Sequence, residues 1–215
     1  MDTSNLEEII GDLNDKEKKN APTVIYSEGD LPLLRRPIIS IIGSRKATPN
    51  GLKRARSLAR KLSEKGIVVL SGLAEGIDTA AHTGAIDAGG KTIGVLGTPI
   101  DQFYPKENRS LQQLMMKEQL VLTQFASGDK VTRSNFPIRN NLMALLSRAT
   151  VIVEASDNSG SLYQATEAIR LGRPLYFLRS NLDNSNLTWP AMLQALGAKV
   201  LTENGIDDLT IKLQA

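Results

Sequence analysis

From Ile38 onward the chain alternates short β-branched apolar runs with amphipathic helical stretches, and few folds accommodate that alternation. The strand-like runs are Ile38–Ile42, Ile67–Leu70, Thr92–Leu96, Leu120–Thr123, Thr150–Glu154, Pro174–Leu178 and Lys199–Leu201. Helical patterns lie between most of them, at Gly51–Lys65, Thr79–Ala88, Asn108–Lys117, Arg139–Ser147, Leu162–Arg170 and Pro190–Leu196. Short apolar strands separated by amphipathic helices predict an α/β fold, with a mostly parallel, doubly wound sheet and helices on both faces. Ligands of such sheets sit outside the carboxyl ends of the strands, near the point where the strand order reverses.

The 215 residues suit one large domain with an appendage. Residues 1–20 are polar and acidic, with a weak helical pattern through Leu6, Ile9, Ile10 and Leu13, and are expected to form a short helical or flexible segment. The main domain is expected over 21–215, entered through an extended stretch punctuated by Pro22, Pro32 and Pro37. Aromatic residues make up only 4%, so the core must be aliphatic. With no cysteine and one histidine, His82, disulfides, thiolate metal sites and multi-histidine sites are excluded; no metal or cofactor is expected. A signal peptide and an apolar run of the ~18 residues needed to span a bilayer are both missing, which points to the cytoplasm. Charge is uneven: Met1–Asp30 hold eight acids and three lysines, whereas Arg35–Lys65 hold ten Lys/Arg against the single acid Glu64. Such a block is either a solvated helix face or the footprint of a polyanion partner.

The strand ends carry most of the chemical information. The first delivers Gly43-Ser44-Arg45-Lys46 into a basic helix, whose N-terminus can offer N–H groups and a positive dipole end to phosphate. It lacks the Gly-Lys-Ser/Thr ending of a Walker A loop and the full G-x-G-x-x-G pattern. The second delivers Ser71, Gly72 and Gly76, with Asp78 or Thr79 placed to cap the next helix; Asp78 is expected as a cap rather than a general base. His82 follows on that helix and reads as a packed structural histidine, because no nucleophile or carboxylate partner can be assigned to it. The third strand ends at Gly97, again a place of close approach, and Tyr104 beyond it reads as ordinary loop packing. After the fourth strand, Lys130, Arg133 and Arg139 surround Phe136. Pro137 biases Phe136 towards extended backbone, and an aromatic among cations in a loop suits base stacking with phosphate neutralisation. The bland alternative is a core phenylalanine beside a helix-start arginine. The fifth strand leads to Ser159-Gly160-Ser161, another turn able to bind an anion. Several glycine/serine turns along one sheet edge imply a phosphate-lined groove.

The segments IIGSRKAT, LSGLAEGIDTAAHTGAIDAGGKTIGVLG, FYPKENRSL, FPIRNNLMALLS, VIVEASDNSGSL and AIRLGRP occur in this order. Together they resemble the DNA-processing protein A family, also called DprA or Smf, over roughly Thr23 to Val200. The resemblance implies an extended Rossmann-like domain that binds and protects single-stranded DNA and hands it to the RecA recombinase, chiefly in natural transformation. It implies no catalytic residues and no metal, and a second copy of the chain is a further partner to consider. By match to the family's motifs, Gly43, Ser44 and Arg45 would hold backbone phosphate, and Ser71, Gly72 and Gly76 would line the groove. Phe136 would stack on a base, Arg139 and Asn140 would orient its loop, Arg133 would stand for a common lysine, and Ser159, Gly160 and Ser161 would close the far side.

The chain also departs from the family pattern. Arg139-Asn140-Asn141 replaces Arg-Asn-Arg, Thr123-Gln124 replaces Ser-Glu, and FLRSNLDNSN stands where a Pro-Gly usually follows a strand. The length leaves no room for a C-terminal winged helix or a full N-terminal sterile-alpha-motif-like domain, so a minimal member is expected. Two other classes remain. A nucleotide sensor or a phosphoribohydrolase-like enzyme would use related turns, although Gln164 stands where the latter's glutamate would be, with Glu167 one turn later. A purely structural interaction protein would not need convergent glycine turns.

Overall fold

The computed structural model describes residues 1–202 and 205–206; the remainder of the domain expected to reach residue 215 lies outside them. Among the described residues nine strands form one sheet: β1 (Asp2–Asn5), β2 (Val24–Gly29), β3 (Ile38–Ile42), β4 (Val68–Ser71), β5 (Thr92–Leu96), β6 (Leu120–Thr123), β7 (Ala149–Ile152), β8 (Leu175–Leu178) and β9 (Lys199–Leu201). The helices are α1 (Leu6–Ile10), α2 (Asp15–Lys18), α3 (Pro49–Glu64), α4 (Ile77–Asp87), α5 (Arg109–Glu118), α6 (Asn135–Leu146), α7 (Ser161–Arg170), α8 (Arg179–Leu182) and α9 (Trp189–Ala195). The strand order is β1-β2-β6-β5-β4-β3-β7-β8-β9. All neighbours from β6 to β9 run parallel, and β1 and β2 add an antiparallel edge beside β6. Winding starts at β3, proceeds outward to β6, then crosses back to β7 on the other side of β3. The expected doubly wound sheet is therefore present, with its switch point between β3 and β7.

Residue alternation along β3 explains the two layers. Ile38 and Ile42 face a core built with Leu142, Met143 and Leu146 of α6, Ala165 of α7 and Trp189 of α9. Ile39 and Ile41 face the opposite core, with Ala55, Leu58 and Leu62 of α3 and Ile77 and Ala81 of α4. α3 and α4 pack closely enough that a Cβ on Gly84 would lie 2.6 Å from the Arg56 carbonyl oxygen. The first twenty residues, expected as a helix or loose arm, also contribute an edge strand. β1 pairs with β2 from Asp2↔Ser27 to Asn5↔Val24, and Leu6 is fully buried. Arg173 reaches Glu17 at 2.8 Å, and Arg170 donates to the Lys16 carbonyl at 2.7 Å, tying α2 to the main body. Among the described residues no helix is long and apolar enough to cross a membrane.

Helix α6 begins four residues earlier than its sequence pattern indicates. Phe136 lies in its first turn rather than in an extended loop. A first-turn proline loses no intrahelical hydrogen bond, so Pro137 is accommodated there. The Asn135 side chain accepts from the Thr132 hydroxyl at 2.7 Å, fixing the approach to the helix.

Candidate nucleic-acid interface

The switch point opens into a cleft of about 470 Å³. One wall is the turn from Gly43 to Lys46 after β3, and another is α6 through Phe136, Arg139 and Asn140. The far side is the turn after β7 and the start of α7, with Ser159, Gly160, Ser161 and Tyr163. Ten of the sixteen site residues expected from sequence thus meet in one place. Gly72 and Gly97 line a smaller adjoining hollow with Tyr104, Phe136 and Arg45.

Phe136 is half-buried and sits between two partners. The Arg45 guanidinium carbon lies 5.2 Å from its ring centroid, within cation–π range, and Tyr104 packs against it at 5.4 Å between centroids. Its inner edge rests on Gly97, where an added Cβ would stand 2.8 Å from the ring, so the glycine seats the phenylalanine. Tyr104, at 49% exposure, belongs to this aromatic group and is more than loop filler. Tyr163 is 64% exposed in the first turn of α7 and lines the main cleft. It is not among the residues expected from sequence, although an aromatic two residues beyond Ser-Gly-Ser is a legible sign of a residue at a helix mouth.

Arg139 is only 5% exposed and acts inside the protein. It donates to the Gly72 and Val95 carbonyls, at 2.5 and 2.6 Å, bridging the ends of β4 and β5. Its Nε donates to Asn140 Oδ1 at 3.0 Å, and the Asn140 amide donates to the Gly160 carbonyl at 3.0 Å, linking α6 to the start of α7. Burial lowers the Arg139 guanidinium to about 10, a fall opposed by Asp78 and aided by Arg45, and it stays charged at neutral pH. Asp78 is the buried counter-charge. It accepts from the Gly72 and Ala74 N–H groups at 3.2 and 3.3 Å, and burial pushes its carboxyl up against the pull of Arg139. Asp78 therefore fixes the β4–α4 turn, but the helix-capping role expected of it or of Thr79 is not met: it lies within the first turn of α4, whose N-cap is Gly76 with no side-chain cap hydrogen bond.

Several expected phosphate positions are filled by protein. The N-terminus of α3 is occupied by Glu154, which accepts from the Thr48 N–H and hydroxyl at 2.7 and 2.6 Å. A Cβ on Gly51 would meet that carboxylate at 2.4 Å. The groove role expected for Ser71 fails on burial: its hydroxyl donates to the Ile41 carbonyl at 2.7 Å. Gly76, at φ +74°, lies behind the Ser44 and Arg45 carbonyls, where any side chain would clash. The close approach allowed by Gly43 is to the Glu154 backbone, and that allowed by Gly72 is to the Arg139 guanidinium. Lys130 and Arg133 stand exposed on the loop before α6, outside the walls of both hollows.

His82 is fully buried. The Thr92 hydroxyl donates to the Val69 carbonyl at 2.8 Å, so His82 Nδ1, 2.7 Å away, carries the proton and donates to Thr92. Burial holds the ring neutral, with its pKa lowered from 6.5 to about 3. Gln164 is also internal, donating to Ser40 at 2.7 Å, while Glu167 is bound by Arg170 at 2.6 Å and by Asn20 at 3.0 Å. Neither supplies the cleft with the carboxylate that a phosphoribohydrolase-like enzyme would need. Among the described residues no group of three or more His, Asp or Glu side chains is placed to hold a metal ion.

Over residues 11–214 the sequence matches the family described as DNA recombination-mediator protein A. The chain belongs to that family. DNA processing protein DprA of Streptococcus pneumoniae, a curated relative, is 38% identical over 184 residues, covering 85% of this chain and 64% of that protein. An X-ray structure of DprA from the same species aligns with a TM-score of 0.83 at 32% identity, covering 97% of this chain and 73% of the other. The Helicobacter pylori DNA processing protein A, solved to describe its single-stranded DNA binding mode, aligns with a TM-score of 0.81 at 28% identity, covering 99% of this chain and 95% of the other. The chain spans less than two-thirds of the curated relatives' length, 64% of the S. pneumoniae protein and 47% of a Synechocystis Smf protein. Membership accounts for the shared fold.

Proposed function

We propose that the cleft at the switch point binds single-stranded DNA without catalysing a reaction on it, as the DNA-handling core of a recombination mediator that passes the strand to a RecA-type recombinase in the cytoplasm. The observation that carries this reading is Arg45 over Phe136 beside an open cleft. A base can stack on such a ring while Arg45 and Lys46 neutralise the backbone, a combination indifferent to base identity. Ser44, Asn140, Ser159, Gly160 and Ser161 frame the path, and Lys130 and Arg133 add charge at its approach. Asp78, the carboxylate in the wall, is committed to backbone N–H groups and faces Arg139, an arrangement suited to holding a shape rather than to moving protons. The family's description and the H. pylori relative's single-stranded DNA binding mode support the same ligand class.

The cleft volume also falls within the ~300–1,000 Å³ of small-molecule sites, so a mononucleotide is the competing occupant. Gel shifts with oligo-dT at low salt, beside thermal shifts with mononucleotides, separate the two. The DNA reading expects a shift that Arg45→Ala weakens for every sequence. Stabilisation by a mononucleotide with no DNA shift would overturn it. Sedimentation of the free and DNA-bound protein reads whether two copies act together.

A further inference from the structure

The stretch FLRSNLDNSN, which runs on from β8, builds a wall of a third hollow. This cavity of about 270 Å³ lies at the carboxyl ends of β7 and β8, between Lys46 and Arg54 on one side and Ser180, Asn181 and Asn184 on the other. It shares Ser44, Lys46 and Ser156 with the central cleft, just as the central cleft shares Arg45, Phe136 and Arg139 with the hollow under Tyr104. The three openings follow the strand order β5-β4-β3-β7-β8. Four inter-strand steps of ~4.8 Å make the track about 19 Å long. At the ~3.4 Å spacing of stacked bases, that length holds at most about six nucleotides.

The third hollow is built firmly enough to serve as a subsite. Asn181 is locked, donating to the Val153 and Leu178 carbonyls at 3.0 Å each. Asp157 accepts from the Thr188 and Trp189 N–H groups at 3.0 and 3.1 Å, fastening the start of α9 to the β7 turn. These backbone donors hold the Asp157 carboxyl below the usual carboxylate range. The carboxylate in the hollow's wall, Glu154, is taken up by Thr48. Lys46 and Arg54 make no ion pair or hydrogen bond through their side chains among the described residues, which leaves two cations against one committed acid. Elsewhere on α3 the arginines are engaged: Arg56 with Asp87 at 3.4 Å and Arg60 with Glu64 at 3.9 Å.

We propose that this hollow is an extension subsite for the same single strand, in which Lys46 and Arg54 hold the backbone phosphate that leaves the central cleft and Asn184 and Ser180 contact the adjoining sugar or base. The proposal rests on the reading of the central cleft as a single-stranded DNA site. Its test is a length series of oligo-dT titrated against wild type, Arg54→Glu, Asn184→Asp and, as a charge control on α3, Arg60→Glu. The shortest member has about four nucleotides, the stacked length of three inter-strand steps. In the wild type and Arg60→Glu, affinity should rise with length up to about six nucleotides, the stacked length of the whole track. Arg54→Glu and Asn184→Asp should abolish that rise yet bind the shortest oligomer as wild type does, and Arg54→Glu should flatten the log–log salt slope for the longer ones by about 0.7 per lost phosphate contact. A rise that survives Arg54→Glu, or an equal loss at every length, would overturn the subsite alone. Failure of the wild type to bind any oligomer would overturn the central cleft's reading together with it.

Discussion

Replacing Arg139 by alanine is the sharpest structural perturbation the site offers. The change removes three charge-assisted hydrogen bonds, to Gly72, Val95 and Asn140, and takes the counter-charge from buried Asp78. Breaking a buried charge pair by deleting one partner costs about 3–5 kcal/mol. For a chain of this size, at 2–4 °C per kcal/mol, the melting temperature should fall by about 6–20 °C. Urea unfolding followed by far-UV circular dichroism measures the loss directly. A second substitution, Asp78→Asn, removes the stranded carboxylate, so the double variant should recover part of the deficit in a double-mutant cycle. A loss below about 1 kcal/mol for Arg139→Ala, with oligo-dT affinity abolished, would refute the reasoning. Arg139 would then be a DNA contact and not the strut joining β4, β5 and α7.

Other outcomes follow from the same geometry. Phe136→Ala should weaken oligo-dT binding by ~1–3 kcal/mol, about 5- to 150-fold, while Phe136→Tyr keeps most of it; fluorescence anisotropy reads both. Gly97→Ala places a methyl 2.8 Å from the Phe136 ring and should cost ~1–3 kcal/mol in stability by overpacking, with a parallel loss of DNA affinity. His82 is neutral in the folded protein, with its pKa lowered from 6.5 to about 3, so protons favour the unfolded chain. That contribution is intact above pH 6.5 and declines on acidification, reaching about 2 kcal/mol lost by pH 5 in urea titrations. A His82→Asn variant should lack this part of the pH slope.

How much of this was legible in the sequence depends on the range of the interactions involved. Ile38–Ile42, Thr92–Leu96, Leu120–Thr123 and Lys199–Leu201 match their strands end to end, because apolar β-branched runs between helical patterns have few other ways to be buried. β1 was not legible: Asp-Thr-Ser-Asn carries no apolar alternation and is a strand only because β2 offers it an edge. The start of α6 was hidden by Pro137, whose local bias against helix yields once its first-turn position leaves no hydrogen bond to lose. At the site, Arg45 and Phe136 declare their chemistry by residue type. The glycines do not, because the atom opposite a missing Cβ is a tertiary fact. Nothing near Gly51 announces the Glu154 carboxylate that fills the start of α3.

The central claim, that a cation–aromatic cleft at the switch point binds single-stranded DNA, is tested most directly by anisotropy titrations of labelled oligo-dT across a salt series, on wild type and Phe136→Ala. The account predicts binding that weakens linearly in log–log form, by about 0.7 per neutralised phosphate, and a Phe136→Ala line displaced to weaker affinity at nearly the same slope. Absence of binding at low salt, or a Phe136→Ala line that overlies the wild type, would contradict it.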